Sequence, residues 1–414
     1  LTAAVVKERL RGLLGNLGLA AASLALLLGA VEALARLAAG GAFGRGGDQV
    51  LRPISRFHPA LGWDKVPGGE ALIRRPEFEI TLSINSLGLR GPERPHARPA
   101  GVRRALLLGD SFAEGYYVEE EATARALLER ALNVGACAGW EVLNGGTIAY
   151  STDQEYLFYR EEGHRYGAEV VLLLFYHNDL WYNARSRGPG GEAKPFFAVE
   201  EGRLVQRNGP LQPDASGGPN RQNPGSSPLR PWRGSVALRL LSNRTADAAP
   251  RLHRRLAALG LVEPLGVDPP REFAPYGPGL RREVTAMWDV TRALLGALHE
   301  EVGRRGGRLA VLYVPARFEV NEAVWEITRA RYRLGRRWDP YAVFDRLDAI
   351  LKGLGVPLLD PRDSLRRAEA GPRPAYYTRD VHWTDVGNAL AAAEMQRFVE
   401  ATACGTPASR AAPE

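Results

Sequence analysis

The sequence predicts an α/β fold built on a central parallel sheet with helices on both faces. Three observations predict it. Apolar runs of strand length recur at 104–108, 140–143, 169–175, 308–314 and 356–359. Helical patterns lie between or after them, near 122–134, 153–165, 279–303, 340–353 and 384–401. The strand runs are apolar throughout rather than alternating, as strands covered on both faces must be.

The chain has 414 residues, enough for one large domain with insertions or for two domains. Hydrophobic residues make up 45% and charged residues 24%, a globular composition. The net charge of +7 is carried almost entirely by arginine, since lysine occurs only four times. The arginines are scattered, with no long basic block and no interleaved aromatics, which excludes a nucleic-acid partner. Arginine-rich codon usage explains such a balance, and an anionic substrate stays open. The two cysteines, Cys137 and Cys404, form no CxxC or Cys/His cluster, so neither a metal site nor an organic cofactor is expected, and composition does not pair them.

Taken in order, residues 1–11 form a short N-terminus carrying Lys7, Arg9 and Arg11. Residues 12–31 then contain no charge. Twenty residues at helical rise span about 30 Å, the thickness of a bilayer core. Residues 12–38 therefore predict a transmembrane anchor in the lipid bilayer, or a signal segment cleaved near "ALA" at 33–35. The basic flank keeps the start cytoplasmic and sends the body to the extracytoplasmic, periplasmic side. Residues 39–100 are punctuated by Gly and Pro and read as a linker followed by a small β-rich lead-in. The main domain runs over 101–403, interrupted at about 183–275 by a stretch rich in Pro, Gly, Ser and Asn. That insertion reads as loop with one helical stretch, 235–260. Residues 404–414 read as a flexible tail.

In an open parallel sheet, ligands bind beyond the carboxyl ends of the strands. Three polar clusters follow strands here: Gly109-Asp110-Ser111, Tyr176-His177-Asn178-Asp179, and Asp380-Val381-His382 just ahead of the last helix. A serine hydroxyl needs an adjacent base to become a nucleophile. Histidine suits that task, and a carboxylate on its other nitrogen fixes the tautomer. Charge developing on a substrate oxygen needs fixed donors. Ser111, His382, Asp380 and Asn178 fill these four roles. Asp380 and His382 lie two apart, so an extended segment points both to one side. Each has a plainer alternative when taken singly: Ser111 as a helix cap, Asn178-Asp179 as a turn, His177 and His382 as structural histidines.

These blocks, in this order, resemble those of the SGNH hydrolases, or GDSL-like esterases. "LLLGDSFAEG" matches the first block, "VLNGGTIAYSTDQE" the second, Asn178-Asp179 the third and Asp380-Val381-His382-Trp383 the last. The resemblance covers roughly 80–180 and 300–400, and "NSLGLRG" at 85–91 is similar to the lead-in of membrane-anchored bacterial members. It implies a flavodoxin-like three-layer α/β/α fold with Ser111, His382 and Asp380 as catalytic residues, and Asp110 and Asp179 in support. It also implies an oxyanion hole from the Ser111 N–H, the Asn178 amide and a second-block N–H. The glycine of that second block is Ala149 here. Its N–H persists as a donor if φ is negative; if the site needs φ > 0, Gly146 becomes the donor instead. The third block has lost its glycine, and the last is one residue shorter than Asp-x-x-His. The α/β-hydrolase elbow G-x-S-x-G is nearly fitted by "GDSFA", but acid and histidine within one tripeptide do not suit that fold.

Function follows as an expectation. A serine esterase working through an acyl-enzyme removes acyl, chiefly acetyl, groups from a cell-envelope carbohydrate or small ester. An O-acyltransferase using the same triad, and a catalytically silent envelope binding module, are the alternatives.

Overall fold

The computed structural model describes residues 16, 19–20, 22–37, 49–75, 77–134, 137–213, 235, 237–238, 241–242, 245, 249–259, 261–262, 269–278 and 281–404. Expectations for 1–11, for 39–48, and for the tail beyond 404 lie outside them. Two compact units divide the chain, one holding 1–46 and 224–267, the other everything else.

In the first unit, α1 (22–37) is helical, and Leu24, Leu26, Leu27 and Leu28 are all exposed. Glu32 accepts hydrogen bonds from the Ser235 hydroxyl at 2.7 Å and the Ala237 N–H at 3.1 Å. Among the described residues no helix is long and apolar enough to cross a membrane. Residues 12–15, 17, 18, 21 and 38 of the expected anchor lie outside them.

The second unit opens with antiparallel hairpins. Strands β1 (Gln49–Arg52), β4 (Glu70–Arg74) and β5 (Glu79–Ser83) form one sheet, and β2 (Ser55–His58) pairs with β3 (Gly62–Lys65). Strand β5 alternates exposed and buried, so Ile80 and Leu82 face a small core with Ala71, Ile73 and Tyr116.

The central sheet follows: β6 (Arg103–Leu108), β7 (Trp140–Asn144), β8 (Val170–Tyr176), β11 (Arg308–Val314) and β12 (Leu358–Leu359). All pairings are parallel, in the order β12-β11-β8-β6-β7. Numbered along the chain, that order is 2-1-3-4-5, the flavodoxin-like arrangement with its switch point between β6 and β8. All seven residues of β8 are buried, which requires cover on both faces. The helices of this unit are α2 (Ser111–Glu114), α3 (Ala124–Leu132), α4 (Thr152–Glu161), α5 (Asn178–Tyr182), α7 (Arg282–Arg304), α8 (Arg317–Val320), α9 (Glu322–Tyr332), α10 (Ala342–Leu354), α11 (Arg362–Glu369) and α12 (Asp385–Ala403), while α6 (Pro250–Ala258) belongs to the first unit; α3, α4, α7, α10 and α12 bury residues in the core with the strands. Helix α12 packs on α3, and α7 on α4. Strand β12 is shorter than its apolar run because Pro357 has no N–H for the ladder; its carbonyl accepts from Val311 instead.

Two findings were not expected. Residues 197–206 of the insertion are not loop but a hairpin, β9 (Phe197–Glu200) and β10 (Arg203–Gln206). Its two-residue turn, Glu201-Gly202, has φ of 50° and 77°, the positive pair that lets a tight turn follow strand twist. And Cys137 is disulfide-bonded to Cys404, with Cα atoms 5.6 Å apart, tying the end of α12 to the segment before β7.

Candidate active site

Strand β6 ends against the sheet's switch point, and Gly109 turns the chain there with φ 146°. A Cβ at Gly109 would lie 2.8 Å from the Ala113 Cβ, so only glycine permits this elbow. Asp110 caps the short helix α2, its Oδ1 accepting the Phe112 N–H at 2.9 Å. Ser111 is thus the first helical residue, where a backbone N–H has no acceptor within its own helix.

The Ser111 Oγ lies 2.7 Å from His382 Nε2. The His382 Nδ1 is hydrogen-bonded to Asp380 Oδ1, which also accepts the His382 backbone N–H at 3.1 Å. Chain positions 271 apart therefore meet in one line. The expected extended segment is instead a bend: Asp380 folds back over the His382 backbone, and Tyr376 pairs with Trp383 across it. Burial raises the Asp380 carboxyl, but the hydrogen bond and charge of His382 outweigh it and hold it below its ordinary value. The Tyr117 ring stacks on the imidazole, centroids 3.6 Å apart, and Phe112 packs at 4.7 Å. Ser111, Phe112, Gly115, Tyr117, His382, Trp383 and Asn388 line a cavity with about 10 Å³ of free space, room for about one water.

Asn178 opens α5 directly after β8, across the switch point. Burial raises the Asp110 carboxyl, opposed by the Phe112 N–H, His382 and a hydrogen bond from the Asn178 side chain. An amide carries two N–H donors, so one remains beyond that bond. Asp179 is buried beside Asp110 and Asp153, and burial pushes its carboxyl well up. His177 is packed among Tyr176, Phe273 and Tyr276, and burial pushes it down to about 3, so it is neutral.

In the second block neither alternative left open by the sequence is met as stated. Ala149 has φ 65°, so the negative-φ condition fails. Gly146 is not the free alternative either: its N–H donates to Asn144 Oδ1 at 3.0 Å. Neighbouring Ile148 donates to Glu114 Oε2 at 2.6 Å and Tyr150 to the Thr147 carbonyl at 3.1 Å. Among the described residues the Ala149 N–H has no acceptor. Left-handed backbone costs an L-residue about 1–2 kcal/mol, so this loop holds strain at the site.

Several residues that position the site lie in the lead-in. Lys65, buried on β3, donates to the Gly146 carbonyl at 2.7 Å and Thr147 Oγ1 at 2.5 Å. Burial lowers its amine against the opposing pull of Glu114. Trp63 Nε1 donates to the Ile148 carbonyl at 3.0 Å. Arg90, within "NSLGLRG", is fully buried and donates to the carbonyls of Glu114, Gly115 and Val118 around the end of α2. Of these, only the 85–91 motif carried a signal in sequence.

A serine, histidine and aspartate thus stand in line at the switch point of this sheet, reached through a Gly-Asp-Ser elbow, and the C-terminal third of the chain matches an SGNH hydrolase-like domain. Residues 281–412 match the family model described as the SGNH hydrolase-like domain of acetyltransferase AlgX. The matched stretch holds Asp380 and His382 and stops short of Ser111. No curated protein matches the chain. Similar solved structures include the acetyl xylan esterase AlAXEase, 12% identical, covering 72% of this chain and 99% of that one, TM-score 0.35. Others are a catalytic mutant of the acetylxylan esterase Axe2 from Geobacillus stearothermophilus (12% identical, 72% and 94% covered, TM-score 0.36) and a lipase/acylhydrolase from Enterococcus faecalis (12%, 72% and 96%, 0.35). At such identities and TM-scores these likenesses carry no weight for function.

Proposed function

We propose that the chain is a serine acyl-ester enzyme that removes acetyl-sized groups from a cell-envelope carbohydrate or related ester through an acyl-Ser111 intermediate. The observation that carries this reading is the line from Asp380 through His382 to the Ser111 hydroxyl. Ser111 Oγ attacks the ester carbonyl carbon and its proton passes to His382 Nε2. The carbon–oxygen bond to the sugar breaks, and His382 returns the proton to the departing oxygen. Water then repeats the attack, freeing the acid and Ser111. Asp380 holds the imidazole in one tautomer and balances its charge. The Ser111 N–H, the second N–H of Asn178 and the Ala149 N–H serve the oxyanion, with Asp110 and Asp179 bracing Ser111 and Asn178.

A second reading, transfer to a sugar hydroxyl instead of water, is favoured by one observation: the matching family model is that of an acetyltransferase domain. In either case the domain works outside the cytoplasm, tethered through residues 12–38. The Cys137–Cys404 bridge belongs to oxidising compartments, and exposed leucines all along α1 suit a lipid surroundings better than water.

The test uses the full chain and p-nitrophenyl esters of increasing acyl length, with and without an oligosaccharide acceptor. Expected are turnover of acetate over longer acyl groups and labelling of Ser111 by an organophosphonate. Acetyl recovered on the acceptor selects transfer. Neither turnover nor labelling would leave a silent binding module.

A further inference from the structure

The loop carrying Asp380 and His382 is gripped from the far end of the chain. It closes on itself where the Tyr377 N–H donates to the His382 carbonyl at 3.1 Å. Between those residues the tip projects, with Val381 53% exposed. Two consecutive N–H groups at the tip, of Thr378 and Arg379, each donate to one carboxylate oxygen of Glu77 at 2.8 Å. Glu77 lies in the turn between β4 and β5, 301 residues away from Thr378. Its neighbour Phe78 packs against Tyr117 at 5.2 Å and Tyr377 at 5.1 Å. Tyr117 is the ring stacked on His382, and the Tyr377 hydroxyl donates to the Tyr117 carbonyl at 2.8 Å.

We propose that Glu77 is a positioning residue: with Phe78 it clamps the 377–382 loop and so keeps Asp380 and His382 in line with Ser111. The proposal rests on the triad reading above. A carboxylate taking two adjacent N–H groups fixes both peptide planes, and such charge-assisted bonds are stronger than neutral ones. Those planes lie immediately before Asp380, so their orientation sets where the carboxylate meets Nδ1. Phe78 adds an apolar stop behind the ring on which the imidazole rests. The loop's other bonds, from Arg317 to the Tyr377 carbonyl and between Tyr377 and His382, hold its base, while Glu77 takes the N–H groups of Thr378 and Arg379 nearer the tip. Small misplacements of a base cost large factors in rate without touching substrate affinity.

The test compares full-length wild type, Glu77→Ala, Glu77→Gln and Ser111→Ala. Its readouts are p-nitrophenyl acetate kinetics, melting temperature and amide hydrogen exchange of the 376–384 peptide. Expected for Glu77→Ala is a fall in kcat of about tenfold or more, with KM little changed, melting temperature close to wild type and faster exchange in that peptide. Glu77→Gln keeps one acceptor oxygen and should recover part of both kcat and protection. An unchanged kcat in Glu77→Ala, or a loss of kcat that merely follows a loss of melting temperature, overturns the clamp. If Ser111→Ala turns over like wild type, the triad reading itself is lost. Exchange then decides the clamp alone: acceleration at 376–384 in Glu77→Ala sustains it, and no acceleration overturns it.

Discussion

Residues 49–91, ahead of the parallel sheet, and the described parts of 183–276, within it, are both additions to the central sheet, yet they meet the site differently. The lead-in reaches three loops of the candidate site. Lys65 and Trp63 hold the loop of Ala149, Arg90 holds the elbow of Ser111, and Glu77 meets the loop of His382. The insertion reaches the helices flanking the sheet. Lys194 is buried against Asp153 on α4, and Tyr276 donates to Glu319 beyond β11 at 2.8 Å. The segment with the plainer sequence is wired into the chemistry, and the conspicuous one braces the scaffold one step back. Length and irregularity are thus poor guides to proximity; buried charge aimed at a loop is a better one.

Four measurements break or sharpen this contrast. The reference is Ser111→Ala, expected to lower ester turnover about a thousandfold or more, against which every positioning effect is scaled. Next comes the lysine pair. Lys65→Met leaves the buried Gly146 carbonyl and Thr147 hydroxyl without their shared donor and should cost about 3 kcal/mol in urea unfolding, and kcat should fall about tenfold. Lys194→Met should cost similar stability, since it strands Asp153, while kcat stays within about twofold. Equal losses of kcat in the two variants would erase the difference between the regions.

The insertion's end gives a pH signature. Burial raises the Glu319 carboxyl to about 7, against hydrogen bonds from the Ala316 N–H, Tyr313 and Tyr276. A carboxyl raised by folding keeps its proton longer in the native state. Its contribution is full below the unfolded pKa, near 4.3, and is lost as pH climbs to about 7. That decline should amount to about 3 kcal/mol in wild type, and Glu319→Gln should flatten it. A flat wild-type profile between pH 4 and 7 would remove the assignment. The smallest effect belongs to Ala149→Gly. Relief of left-handed strain outweighs the added chain entropy, so stability should rise by about 0.5–1 kcal/mol. A loss of stability would mean that the methyl group is packed, not merely tolerated.

The sheet was legible because continuous apolar strands advertise burial within a few residues, and the observed ends lie within about two of those read from sequence. The first three polar blocks were legible because each lies at a strand end marked by the loss of apolar residues, and the last because Asp380 and His382 fall close together just ahead of a helix. Lys65, Glu77 and Arg90 were not, because a single charged side chain crossing to a distant loop leaves no period. The Cys137–Cys404 bridge spans 267 residues and leaves no spacing to read. Hairpin 197–206 was hidden by its Pro- and Gly-rich surroundings, although Glu201-Gly202 is turn chemistry. For Ala149, sequence stated the condition and only the backbone angle could answer it.

Two of the four lysines, Lys65 and Lys194, are sealed inside the protein, and Lys7 lies outside the described residues. That leaves Lys352, on the outer side of α10 with its side chain 75% exposed, as the accessible amine of the described surface. Amine-directed coupling to the described surface will therefore fall on Lys352, while guanidine-directed reagents will scatter. The described surface, rich in positive charge, offers an acylating reagent one lysine.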